Sequence, residues 1–169
     1  MDPLGLPAVS ASFTDVTHTL LSFGTDFFAF IVLAALIALF AVTFGSDRLM
    51  PLTAGIYAAI PLYTAFPYRE MLGDNPYVVI GLYLFFVIIG LVAFSGLASF
   101  LSSTGLGFVR TVALSIVIAG FLLAVAIHIL PAQEVYAFSE PTKALFASPV
   151  AYFWWLVAPL AGVFFLGRG

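Results

Sequence analysis

VVIGLYLFFVIIGLVAFSGLASFL (78–101) and VRTVALSIVIAGFLLAVAIHIL (109–130) decide the fold class. Each is long enough to cross a bilayer core of about 30 Å at about 1.5 Å of rise per helical residue. Neither contains a charge except Arg110, at the very start of the second. The link between them, Ser102-Ser103-Thr104-Gly105-Leu106-Gly107, is about six residues with two glycines. So short a connection predicts an antiparallel hairpin, with the remaining elements added around it.

The composition agrees. The chain has 169 residues, 63% hydrophobic and 8% charged, where a soluble domain carries about 25% charge. This length fits one helical bundle rather than two domains. Five basic residues against eight acids leave a net charge of −3, which excludes a nucleic-acid footprint. Cysteine is absent, which removes disulfides, thiolate metal sites and cysteine nucleophiles. Residues 1–25 lack a basic leader region and no small-residue cleavage site follows the first apolar run, so the first helix is expected to be retained.

Taken in order, 1–10 carries Pro and Gly and reads as extended. Ser12 followed by Asp15, with Phe13, Val16, Leu20 and Leu21 at helical spacing, predicts a short amphipathic helix over 12–23, lying in the membrane interface. Asp26 stands where the chain enters a first span over 27–44, an acid suited to a helix N-terminus. Gly45-Ser46-Asp47-Arg48 closes that span. A second segment, 51–66, begins at Pro51 and contains Pro61, which should kink it; it reads as a kinked span or a re-entrant segment. After the hairpin, 131–149 is too apolar for a free linker and is expected on the membrane surface, with a short helix begun at Ser139-Glu140-Pro141. A last segment, 150–166, is interrupted by Pro159.

Five spans would put the termini on opposite sides. Arg48, Arg110 and Arg168 then share one side with Asp47, whereas Arg69, Lys143 and the other seven acids share the opposite one. That bias places the C-terminus in the cytoplasm and the acidic face outside. Arg48 and Arg110 would anchor the inner helix ends close to Asp47.

Chemistry is sparse. The centres of all five segments lack the acids, His or Arg that ion pathways carry. His128, near the outer end of its helix, reads as a residue reaching the interface or a carbonyl rather than a proton sensor; with His18 it makes a poor metal site. Ser95, Ser99, Ser102, Ser103 and Ser115 have no histidine base near them. Gly105-Leu106-Gly107 is a turn, without the lysine of a phosphate cradle. Glu70 with Asp74, and Glu134 with Glu140, read as solvated loop charges. No catalytic residue, metal ligand or cofactor is expected.

Small residues four apart are frequent instead: Ala34 and Ala38, Gly55 and Ala59, Ser95 and Ser99, Ser115 and Ala119, Gly120 and Ala124, Ala158 and Gly162. Such pairs let helix backbones approach closely. Gly45, Asp47, Arg48, Gly55, Gly105, Gly107, Arg110 and Gly120 are the candidate packing or anchoring residues.

Asp26 before a first helix, Gly45 and Arg48 just after it, and Thr104-Gly105-Leu106-Gly107-Phe108-Val109-Arg110 opening a later glycine-bearing helix resemble the colicin V production protein family over about 26–130. The chain departs from that pattern at Val109, where the family has Asp, at Ala113, where its first glycine falls, in a missing second turn arginine, and in its last segment. The resemblance implies a non-enzymatic protein of the bacterial inner membrane, linked to peptide-toxin secretion or envelope maintenance.

The sequence therefore predicts an all-α polytopic transmembrane bundle of four to five spans with interfacial helices, partnered by the lipid bilayer and by itself or other membrane proteins. An accessory subunit of a larger membrane complex is the alternative. A small-solute carrier or channel is disfavoured by the uncharged helix centres.

Overall fold

A computed structural model describes residues 6–68, 73, 75–98 and 107–166, with side chains over 24–68, 73, 75–96 and 107–165. Among these residues the fold is all α, without strands. Its helices are α1 (Leu6–Phe44), α2 (Leu49–Thr64), α3 (Pro76–Ala98), α4 (Phe108–His128), the short α5 (Ala132–Val135) and α6 (Glu140–Phe146), and α7 (Pro149–Leu166). Three stretches are long and apolar enough to cross a membrane: Gly24–Phe44 of α1, Pro76–Gly96 of α3 and Phe108–His128 of α4. A fourth arises if α6 and α7, which meet at 59°, count as one broken span.

The helix expected over 12–23 and the span expected over 27–44 are one unbroken helix. No proline lies between Pro7 and Pro51 to interrupt it. Gly24 alone costs a helix only about 1 kcal/mol. The side chains of 12–23, on which an interfacial face would depend, lie outside the described residues. α1 ends at Gly45, whose φ of +101° suits glycine. A Cβ there would meet the Asp47 carboxylate at 2.9 Å. A single 3-10 turn, Ser46–Arg48, then delivers the chain into α2.

α2 has 16 residues, about 24 Å at about 1.5 Å per residue, which is short for a span. It also lies within the bundle: Leu49, Pro51, Thr53, Gly55, Ile56, Ala59 and Tyr63 are all buried. Its main partner is α3, antiparallel to it. The two backbones touch where Gly55 faces Gly90: a Cβ on Gly90 would lie 2.7 Å from Gly55 Cα, and one on Gly55 would lie 2.8 Å from the Leu91 nitrogen. Beyond this crossing, Tyr83 donates to the Ile56 carbonyl at 3.1 Å and meets Tyr63 edge to face.

The hairpin expected of 78–101 with 109–130 is thus not the organising contact. α3 packs on α2, whereas α4 packs between α1 and α7. α3 and α4 are neighbours in sequence, but surface shape selects the partner, and the glycine that fits α3 is on α2. α4 is the centre: 56% of its apolar window is buried, against 11% for α1 and 17% for α3. Leu114, Ile118, Ala119, Phe121, Ala124 and Val125 of α4 are fully enclosed. α7 runs antiparallel to it, with Trp155 against Gly120 and Gly162 against Leu114.

The outer faces are apolar. Phe28, Leu36, Leu39 and Val42 of α1 and Phe85, Ile88 and Val92 of α3 are all more than half exposed. Water would strongly penalise so continuous an apolar surface on a monomer; hydrocarbon does not. This is the surface of a membrane-embedded protein.

Gly90→Ala should cost about 1–3 kcal/mol, since the contacting atoms are backbone and cannot swing aside. Gly81→Ala, on the same helix, would place its Cβ with nothing within 4 Å and should be neutral or gain up to about 1 kcal/mol. Unfolding in mixed micelles, measured for both variants against the parent, checks the contrast.

Candidate functional site

The chemistry of the described residues converges at the end of the bundle where α4 stops and the connection to α7 begins. Asp26 lies in the middle of α1, not at a helix N-terminus as its position before the first span suggested. It is only 5% exposed. A buried carboxylate is costly unless its oxygens are served, and here three donors serve them. The Tyr136 hydroxyl donates to Oδ1 at 2.7 Å. The Ser139 backbone N–H and Oγ–H donate to Oδ2 at 2.8 and 2.7 Å.

Ser139 is the residue from which α6 starts, as the Ser139-Glu140-Pro141 pattern predicted. Its hydroxyl makes no cap within its own helix; it is turned to Asp26 and is joined by Thr142 Oγ1 at 3.0 Å. The cap is supplied by α1 instead. A negative group beside the first N–H of a helix satisfies an orphan donor and complements the helix dipole. The bond to Asp26, together with burial, pushes the Tyr136 hydroxyl above the ordinary tyrosine range.

An apolar lock sits beside this polar one. Phe146, at the end of α6, stacks on Trp155 of α7 with ring centroids 5.0 Å apart and touches Phe30 of α1 at 6.2 Å. Trp155 Nε1 donates to the Leu145 carbonyl at 3.1 Å. Gly120 makes room for the indole: a Cβ there would run into the six-membered ring of Trp155. Ser148 caps the start of α7 by accepting from the Ala151 N–H at 3.1 Å. His128 stacks on Tyr152 at 4.2 Å, nearly parallel, rather than reaching a carbonyl.

Deeper in the bundle, two tyrosines tie the proline-bearing helices. Tyr57 of α2 donates to the Leu156 carbonyl of α7 and stacks on Phe121; Tyr83 serves Ile56 as described. Pro61 and Pro159 each remove a backbone donor and loosen the helix around them. Thr53, Ser95 and Ser115 bond the carbonyls four residues back in their own helices, a common fate of hydroxyls in apolar helices.

Of the residues singled out from the sequence, Gly55 and Gly120 mark the two tightest helix contacts. Gly45 makes the turn after α1. Gly107 precedes α4 and faces open space, so it serves no packing. Gly105 lies outside the described residues, as do Ser99, Ser102, Ser103, Glu70 and Asp74; the His18 side chain does too. Asp47, Arg48 and Arg110 are exposed. Lys143 with Glu140, 3.0 Å apart on the surface, is the one ion pair among the described residues. No group of three or more His, Cys, Asp or Glu suited to a metal is present among the described residues. Gly90 and the partners of Asp26 were missed. Gly90 has no small residue four positions away, and Asp26 meets groups 110 and 113 residues distant. The available signal was that a lone acid within an apolar helix must find donors.

An open apolar groove of about 480 Å3 runs between α1 and α4, walled by Phe27, Phe30 and Ile31 and floored by Ala34, Ala35 and Ala38, with Val112 and Ile116 opposite. No family model matches the chain, and no curated protein and no solved structure matches it.

Gly120→Ala should drive Trp155 off its seat and off Phe146, at a cost of about 1–3 kcal/mol. The indole emission of a Trp154→Phe protein, compared with and without Gly120→Ala, should move to the red; an unchanged spectrum would show that the α4–α7 contact is loose.

Proposed function

We propose that this chain is a non-enzymatic, multi-pass scaffold of the bacterial inner membrane, of the colicin V production type, serving toxin secretion or envelope maintenance. One observation carries the scaffold reading. No buried side-chain nitrogen or oxygen among the described residues lacks a partner within the chain. Those partners are helix carbonyls, the Asp26 carboxylate and neighbouring hydroxyls. The buried polar groups are spent on holding helices, as a scaffold requires. The colicin V production reading rests on the resemblance over 26–130 and on the turn at Gly45–Arg48 that closes α1.

The orientation follows from charge. With α2 read as a kinked span, α1, α2, α3, α4 and α7 would make five crossings, which puts the termini on opposite sides. Arg48 and Arg110 lie at one end and Asp26, Glu134 and Glu140 at the other; we place the arginines in the cytoplasm and the N-terminus outside.

A second reading, an accessory subunit of a larger membrane complex, is favoured by α3. It packs along one side on α2 and leaves Phe85, Ile88 and Val92 exposed on the other. The lipid bilayer is the partner in both readings, and other membrane proteins or further copies of this chain are partners in the second.

The native mass of material extracted in mild detergent, with every co-purifying chain identified, separates them. One or a few copies of this chain alone supports the self-contained scaffold. Large partners at fixed ratio would overturn it in favour of the subunit.

A further inference from the structure

We propose that residues 131–148 form a strap that Asp26 holds shut, and that protonating this one carboxylate releases the strap from α1 while the long helices stay packed. The strap connects α4 to α7 and contains α5 and α6, of four and seven residues. Helices this short have no stability of their own, so their order depends on what they dock against. Two holds of different kind provide it. The polar hold is the set of three hydrogen bonds from Tyr136 and Ser139 to Asp26. The apolar hold is Phe146, seated on Trp155 and Phe30.

Only the polar hold responds to protons. Hydrogen bonds to an ionised carboxylate are about twice as strong as neutral ones. A neutral carboxyl also brings an O–H of its own into a cradle whose Ser139 N–H can only donate, and it withdraws the negative charge from the start of α6. Among the described residues, Tyr136 is the titratable group in contact with Asp26; a phenol is protonated at neutral pH, and the bond to Asp26 pushes its titration further up. Glu140 and Lys143 of α6 pair with each other at the surface. Glu134 of α5 is exposed, and His128 of α4 stacks on Tyr152. The sign is therefore single: the strap is shut with Asp26 ionised and opens as pH falls through its titration. Opening lifts Phe146 from Phe30, which also walls the α1–α4 groove, so the groove gains an opening at that end.

Trp155 reports the strap directly, through its bond to Leu145 and its stack on Phe146. The test uses the full chain in lipid nanodiscs with Trp154→Phe, titrated from about pH 7 to about pH 2, through and beyond the ordinary aspartate range. The expected result is a red-shifted emission and a severalfold rise in acrylamide quenching on acidification, with the helical circular dichroism unchanged. Asp26→Asn should show the released signal at neutral pH and no further response to acid. Tyr136→Phe, which removes one donor and leaves the charge, should move the release to higher pH. An Asp26→Asn protein with the parent's neutral spectrum, or one that keeps the parent's acid transition, would overturn the proposal. If Asp26→Asn does not fold, Tyr136→Phe decides: an unmoved midpoint overturns it equally.

Discussion

Inside a bilayer the hydrophobic effect does not draw one helix to another, because lipid tails are as apolar as leucine. A bundle there must be held by close backbone approach and by a few hydrogen bonds. This chain uses both, in different places. Gly55 against Gly90 brings α2 and α3 into backbone contact, and Gly120 lets an indole of α7 lie on the backbone of α4. Tyr57 and Tyr83 then bond carbonyls of other helices near the two prolines. The large apolar side chains of α1 and α3 take little part in this and face outward. The result is a bundle apolar both inside and outside, with glycines and hydroxyl-bearing residues placed at the helix crossings.

Asp26 adds an element that packing alone could not provide. The connection between α4 and α7 holds only the short helices α5 and α6, which have no stability of their own and need a fixed point. A carboxylate presented from α1 fixes it by capping α6 from outside. Because α6 is fixed, Phe146 meets Trp155, and α7 leaves the strap at a defined bend, 59° from α6. The order of the connection thus rests on one side chain of the first helix together with the Phe146 stack on Trp155, while α7 itself is seated on α4.

Much of the fold was legible because apolar run length is a strong signal. The segments expected at 51–66, 78–101, 109–130 and 150–166 correspond to α2, α3, α4 and α7 within a few residues. What hydropathy does not carry is which helix touches which. A short link points to an α3–α4 hairpin, but the decisive shape is a glycine facing a glycine across different helices, and Gly90 stands alone in its own sequence neighbourhood. The break expected before residue 27 rests on a change of pattern, and helix propagation across Gly24 and Asp26 is the stronger tendency. Gly55 and Gly120 were legible as packing residues because each has a small residue four positions on. The role of Asp26 was not, since its partners share no period with it.

The central claim is that α4 is enclosed while α1 and α3 face hydrocarbon. The cysteine-free sequence allows single nitroxide labels at chosen positions in lipid nanodiscs, with accessibility to dissolved oxygen as the readout. High accessibility is predicted at Leu36 and Leu39 of α1 and at Ile88 and Val92 of α3, and low accessibility at Leu114, Ile118 and Ala124 of α4. Labels on α4 as open to oxygen as those on α3 would contradict the account.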